Sequence, residues 1–207
     1  MSTSWLVVGL GNPGDKYQKT RHNAGARALD CLAGEFSVKL RAPAAKLRPG
    51  KPPAHVGDSV VDGDRLVMAR PSTFMNDSGR AVAALLSWYK IHPENLIVVH
   101  DDIDLADGAI KVKRAGGSGG HHGIESIVDC VHTRDFYRVR IGVGRPESPV
   151  QDPANYVLEQ MTQTAASKLS LAENEAAHAA IAVIKTGLDS AMRTFNNRAD
   201  RTAGKEQ

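Results

Sequence analysis

Cysteine is scarce in this chain: Cys31 and Cys130 stand far apart and form no C-x-x-C pair. That argues against a disulfide-stapled secreted scaffold and predicts reduced thiols in a cytoplasmic setting. No H-x-x-x-H occurs either, and no cysteine stands near the one adjacent histidine pair, so a metal centre is not expected. Long apolar runs are missing, which excludes a spanning helix. The opening "SWLVVGL" has no basic lead and runs into a Gly-rich turn, so no signal peptide is expected. Fixed-period repeats and low-complexity tracts are absent too. What remains is a chain of 207 residues, long enough to bury one core.

Acidic residues are also missing locally. From Val38 to Lys51 the chain carries Lys39, Arg41, Lys46, Arg48 and Lys51 without one acid. A second basic group comprises Lys111, Lys113, Arg114, Arg138, Arg140 and Arg145. The net charge of +3 decides nothing by itself. The clustering suits a polyphosphate or nucleic-acid partner, and it equally suits a solvated face.

Hydrophobic patterning then orders the chain. "WLVVGL" and "NLIVVHDD" are short continuous apolar runs of the kind that fills the middle of a parallel sheet. "FSVKL", "RLVMARP", "AIKVKRAG" and "FYRVRIGVG" read as further strands, the last alternating apolar with basic residues. The Pro-rich stretch from Arg41 reads as an exposed loop with room for one edge strand. Asn23 is placed to cap a helix carrying Ala28, Leu29 and Leu32, and Thr73 one carrying Val82, Leu85 and Leu86. A Gly-rich stretch runs into a further helix, and an Ala-rich helix is expected from Thr162 to about Asn197. This alternation predicts a single-domain, three-layer α/β globule. Its sheet would be twisted, mixed and largely parallel, with helices on both faces. The catalytic domain would span residues 1–197, and the polar residues 198–207 would fray. In such folds ligands gather at the carboxyl ends of the strands.

Four chemical motifs compete for those loops. Gly9, Gly11 and Gly14 spell the dinucleotide fingerprint G-x-G-x-x-G. The context fails: Pro13 and a polar stretch follow where a helix should open, and the next expected strand runs into Arg41 instead of an acid. Gly116, Ser118 and Gly120 spell the nucleophile elbow G-x-S-x-G. The available partners, Asp129, Asp135, His132 and His178, occupy no convincing loop after a later strand, so a flexible substrate loop is the plainer account. "HDDIDLADG" has the wrong acid spacing for an EF-hand, whose closing Glu position is Lys113. A His–Asp pair remains. His22 follows the first strand and Asp101 ends the strongest later one. Loops at one sheet edge can join them, the carboxylate holding one ring nitrogen while the other deprotonates water.

The segments "VVGLGNPGDKYQKTRHNAG", "RPSTFMNDSGRAV", "VVHDDIDLADGAIKVKRAGGSGGHHGIESI", "FYRVRIGVGRP" and "NYVLEQM", in this order, resemble the bacterial-type peptidyl-tRNA hydrolase family. The resemblance covers residues from about 5 to 195. It implies a cytoplasmic, usually monomeric enzyme without metal or organic cofactor and without membrane attachment. Its substrate would be peptidyl-tRNA, cleaved at the ester joining the peptide to the tRNA 3′ end, so that tRNA is recycled. Carried over by position, His22 matches the general base and Asp101 the carboxylate orienting it. Asn12 matches the Asn contacting the peptide, and Asn76 the donor to the reacting carbonyl or its oxyanion. Tyr17 and Met75 match residues lining the peptide channel, with plain packing as the alternative. Lys113 matches a cation gripping the tRNA 5′ phosphate, and Arg138 and Arg140 would add to that field. One departure stands out: where the family has His-Asn, this chain has His121-His122. A neutral imidazole both donates and accepts, as the missing amide does, but with different reach. His121 and His122 are carried forward as substrate-binding candidates.

Overall fold

A computed structural model describes residues 2–43, 52–146 and 148–203. Lys46, Arg48 and Lys51 of the basic run, and the last four residues of the tail, lie outside the described residues. Six strands form one sheet: β1 (Ser4–Gly9), β2 (Ala54–Val61), β3 (Asp64–Pro71), β4 (Leu96–Asp102), β5 (Ile110–Arg114) and β6 (Tyr137–Gly142). Their order is β2-β3-β1-β4-β6-β5. The three central ladders are parallel, while β2 and β5 run antiparallel at the two edges. The expected mixed, largely parallel sheet is therefore present.

Alternation sorts the strand side chains into two layers of core. Val7, Ile97, Val99, Val139 and Ile141 face one way. They meet α1 (Ala24–Glu35), α5 (Gln163–Thr186) and α6 (Leu188–Ala203). Leu6, Val8, Leu96 and Val98 face the other way, against α2 (Ser78–Tyr89) and α3 (His122–Val131). Both faces of β1 and β4 are covered, which is why those runs are continuously apolar. Each fully buried Leu, Ile or Val contributes about 1.5–3 kcal/mol. No helix among the described residues is long and apolar enough to cross a membrane.

Three local expectations give way. "FSVKL" is not a strand. Ser37 takes a positive φ of 53°, and the Val38 N–H turns back to the Ala33 carbonyl at 2.8 Å, so these residues form the stop of α1. The edge strand allowed in the Pro-rich stretch is present as β2, which starts at Ala54 and pairs with β3 through a tight turn at Asp62 and Gly63, both with positive φ. Thr73 caps nothing: it is buried, and α2 begins only at Ser78, after a 3-10 turn at Met75–Asp77. The long Ala-rich helix breaks at Gly187 (φ 79°) into α5 and α6.

The Gly9 and Gly25 pair explains the first glycine of the opening motif. A Cβ on Gly9 would stand 2.3 Å from the Gly25 carbonyl oxygen, and one on Gly25 would stand 2.2 Å from the Val99 carbonyl oxygen. Both glycines let α1 lie directly against the end of β1 and the middle of β4. The chain leaves β1 toward β3 and leaves β4 toward β6, so the point where strand order reverses lies between β1 and β4. That is where an open α/β sheet forms its crevice.

Candidate active site

The loop after β1 is set by an exchange between two amides. The Asn12 backbone N–H donates to Asn23 Oδ1 at 2.9 Å, and Asn23 Nδ2 donates to the Asn12 carbonyl at 2.9 Å. Asn23 stands at the N-terminus of α1 as its position predicts, yet its side chain makes no cap. Its amide is used up on the Asn12 turn. The Asn12 side chain is oriented in turn: its Oδ1 accepts the Met75 N–H at 2.8 Å. Only an oxygen can accept there, so the Nδ2 hydrogens are left for the cleft.

His22 lies in the 3-10 turn Arg21–Asn23 that leads into α1 and is 8% exposed. Its Nδ1 stands 3.0 Å from both carboxylate oxygens of Asp101, which is next to last in β4 and 2% exposed. A third group joins them: His121 Nε2 lies 3.0 Å from Asp101 Oδ1. His121 is also the N-cap of α3, its Nδ1 accepting the N–H of Gly123 (3.1 Å) and Ile124 (3.3 Å). Those bonds place the proton of the neutral His121 ring on Nε2, where it donates to Asp101. Below them His100 donates from Nδ1 to the Asp101 carbonyl at 2.7 Å, with its ring 4.7 Å from that of His121.

The electrostatics follow from this packing. Burial works against an imidazolium at His22, but the Asp101 carboxylate outweighs it and raises the pKa above the ordinary histidine value. Burial alone would push the Asp101 carboxyl up. The facing His22 and His121 rings outweigh it and hold the carboxyl well below the usual carboxylate range. His100 goes the other way, driven well below the ordinary value by its burial and then by His121. His22, Asp101 and His121 each bring a ligand-type atom within 4.8 Å of the others, a spacing a transition metal could bridge. The donor set does not fit one. A metal on His121 Nε2 would need the lone pair there, and the proton would then collide with the two N–H groups facing Nδ1.

A cleft of about 750 Å³ opens over this pair, lined by Asn12, His22, Asn76 and Asp101. Phe74, Met75, Ile103, Val157 and Leu158 make its apolar wall. Asn76, Met75, His121 and His122 all line the cleft, as the sequence places them. Tyr17 does not; it packs edge-on against Phe74, with ring centres 6.4 Å apart. His122, with a side chain 68% exposed, pairs with Glu125 at 3.3 Å. Ser118 donates to the same Glu125 at 2.9 Å and among the described residues has no imidazole partner, so the nucleophile elbow lacks its base.

The three basic candidates lie away from the cleft lining. Register places Lys113 beside Arg138 and Lys111 beside Arg140, all on one face of the sheet. Arg140 pairs with Asp102 at 2.6 Å. Partial burial lowers the Lys113 pKa, with Arg140 and Arg138 adding to the effect and Asp102 opposing it. Arg138 does not stand on the surface: it is 1% exposed, and its guanidinium donates to the carbonyls of Gly117 (2.7 Å) and Gly116 (2.9 Å). Sequence reasoning missed Asn23 and His100 as parts of the site. The first reads as a cap, and the second hides in the apolar run of β4.

Comparison with known proteins bears on the whole chain. A family model described as peptidyl-tRNA hydrolase matches residues 6–203. A peptidyl-tRNA hydrolase of Frankia casuarinae is 42% identical over 192 residues, 93% of each chain. One from Mycobacterium tuberculosis is also 42% identical, over 93% of this chain and 97% of the relative. The crystal structure of peptidyl-tRNA hydrolase from Acinetobacter baumannii superposes with a TM-score of 0.82 at 33% identity, covering 95% of this chain and 96% of that one. Sequence kinship and backbone agree over more than nine-tenths of the chain, and the chain belongs to the peptidyl-tRNA hydrolase family.

Proposed function

We propose that this chain hydrolyses the ester of peptidyl-tRNA by direct attack of water, with His22 as the base. The observation that carries the reading is the buried His22–Asp101 contact at the strand-reversal crevice. Asp101 accepts the Nδ1 proton of His22, which leaves Nε2 to take a proton from water in the cleft. The hydroxide so formed adds to the ester carbonyl. Negative charge collects on that oxygen, where the amide donors of Asn76 and Asn12 stabilise it; one such donor is worth about 3 kcal/mol in the transition state. The tetrahedral intermediate then expels the 3′ ribose oxygen, to which the His22 imidazolium returns its proton. The products are a peptide carboxylic acid, which gives its proton up to solvent, and a tRNA 3′ hydroxyl. No serine is needed, because an ester is already activated relative to an amide.

The apolar wall at Met75 takes the peptide, and Tyr17 supports it through Phe74. His121 and His122 meet substrate at the rim of the cleft. Lys113 and Arg140 supply positive charge for the tRNA phosphates, outside the cleft. The chain acts as a cytoplasmic monomer and recycles tRNA from prematurely released peptidyl-tRNA, with Cys31 and Cys130 as free thiols. The deciding experiment is hydrolysis of N-acylated aminoacyl-tRNA by the wild type, His22→Ala and Ser118→Ala. Activity lost only with His22→Ala is expected. Loss only with Ser118→Ala would overturn the mechanism, and an inactive wild type would point to an RNA-binding module.

A further inference from the structure

The Gly-rich segment between β5 and α3 needs something to hold it. Ala115, Gly116, Gly119 and Gly120 all have positive φ, at 59°, 96°, 63° and 76°. A backbone of this kind has few intrinsic reasons to keep one conformation. Yet Ser118, Gly119, Gly120 and His121 form one wall of the cleft, and His121 holds Asp101. A positional error there is passed to the base.

Arg138 lies beneath this segment. Its Nη1 and Nη2 each reach one carbonyl of the Gly116–Gly117 pair, and its guanidinium carbon stands 4.9 Å from the centre of the Phe136 ring. Among the described residues it forms no ion pair, and its Nε is buried without a partner. Burial, with Arg140 and Arg134 behind it, pushes its pKa down to about 10. It therefore stays charged near neutral pH, compensated by two carbonyl dipoles and the face of the Phe136 ring but by no carboxylate among the described residues. A buried charge in that state is costly, and an apolar residue of similar volume would spare the fold the cost. Stability does not account for an arginine here, whereas control of the segment above it does.

We propose that Arg138 is a positioning residue for the hydrolysis: by bridging the Gly116 and Gly117 carbonyls it sets the Gly-rich wall so that His121 keeps Asp101 against His22. The inference rests on the water-attack reading above. It gives Arg138 no contact with RNA, because its bonded N–H groups point into the loop.

The test uses Arg138→Lys and Arg138→Met on two substrates: N-acylated aminoacyl-tRNA, and a minimal N-acylated aminoacyl-adenosine without an acceptor stem. Expected is a fall in kcat of about tenfold or more on both substrates, as misplacement of a catalytic group produces. Lys, which keeps the charge and reaches one carbonyl, recovers part of the loss. The dependence of KM on salt stays that of the wild type. The acid limb of the pH–rate profile moves to lower pH, because His22 is faced by the Asp101 carboxylate and the His121 ring, and the carboxylate is what raises its pKa. Wild-type kcat and pH profile in a folded Arg138→Lys would overturn the proposal. So would a KM effect on the tRNA substrate alone with a salt slope reduced by about one, the mark of a phosphate ligand. Melting curves run in parallel separate a fold defect from a positioning defect, with the Lys variant as the folded comparison. A wild type inactive on both substrates would sink the hydrolase reading itself, a different failure from that of Arg138.

Discussion

The two loops that wall the cleft are held by opposite kinds of chemistry. The loop after β1 is held by neutral amides, with Asn12 and Asn23 exchanging bonds and Met75 fixing the Asn12 side chain. The loop after β5 is held by a buried cation and an imidazole cap, Arg138 and His121. Neutral amide bonds contribute about 1 kcal/mol each and have no charge to screen. They suit a loop whose task is to aim one side chain, Asn12. The second loop must aim a carboxylate at a histidine, and charged or titratable groups are its supports. Damage to the first loop should lower the rate without altering its pH dependence. Damage to the second should alter both.

Asp101 is where the two loops meet, so Asp101→Asn should have the largest effect. We expect kcat to fall by about 10³-fold or more, since the carboxylate that fixes the tautomer and supports the imidazolium is gone. The sign of the pH effect follows from the balance at His22. With the carboxylate removed, burial alone acts on the ring and lowers its pKa, so the acid limb of the residual rate moves to lower pH. A pH–rate profile of the variant checks this, and a limb that stays put would break the link between Asp101 and the base. Asn23→Ala comes next. It removes both amide bonds of the first loop and strands the Asn12 N–H, which should lower kcat/KM about tenfold. The profile should keep its wild-type shape, and a shifted limb would erase the distinction between the loops.

Ionic strength probes the region outside both loops. KM for the tRNA substrate should rise with salt, and Lys113→Gln should reduce the slope of log KM against log salt by about one. A salt-insensitive KM would leave the cations of β5 and β6 without a phosphate partner. The smallest effect is expected from His122→Asn, which touches only the rim. His122 and Glu125 form an exposed pair, so the rate should change by about twofold at most. Steady-state kinetics of the variant check this, and a larger loss would move His122 from the rim into the reaction.

Several of these residues are legible in the sequence. The continuous apolar runs of β1 and β4 carried their central place in the sheet, and His22 and Asp101 followed because ligands collect where such strands end. The G-x-G-x-x-G spelling misleads, since Gly9 serves the close contact with Gly25 and the residue that matters lies between the glycines, at Asn12. Asn23 was legible only by position. Whether an Asn at a helix start caps its own helix or reaches back to a neighbouring turn depends on where that turn lies. β2 was legible as an edge strand after the Pro-rich stretch, but not its extent to Val61, although Asp62-Gly63 is a hairpin signal.

The sequence by itself determined which residues share a face. Alternation along β6 puts Val139 and Ile141 on one side and Arg138 and Arg140 on the other, and the structure has them so. Only the tertiary structure decided what lies over each face. Arg138 is roofed by the Gly-rich loop, while Arg140, two residues on, reaches Asp102. A strand's period of two is a local property of its backbone. The cover above it comes from residues distant in the chain, and that cover separates a buried support from a cation with a carboxylate partner.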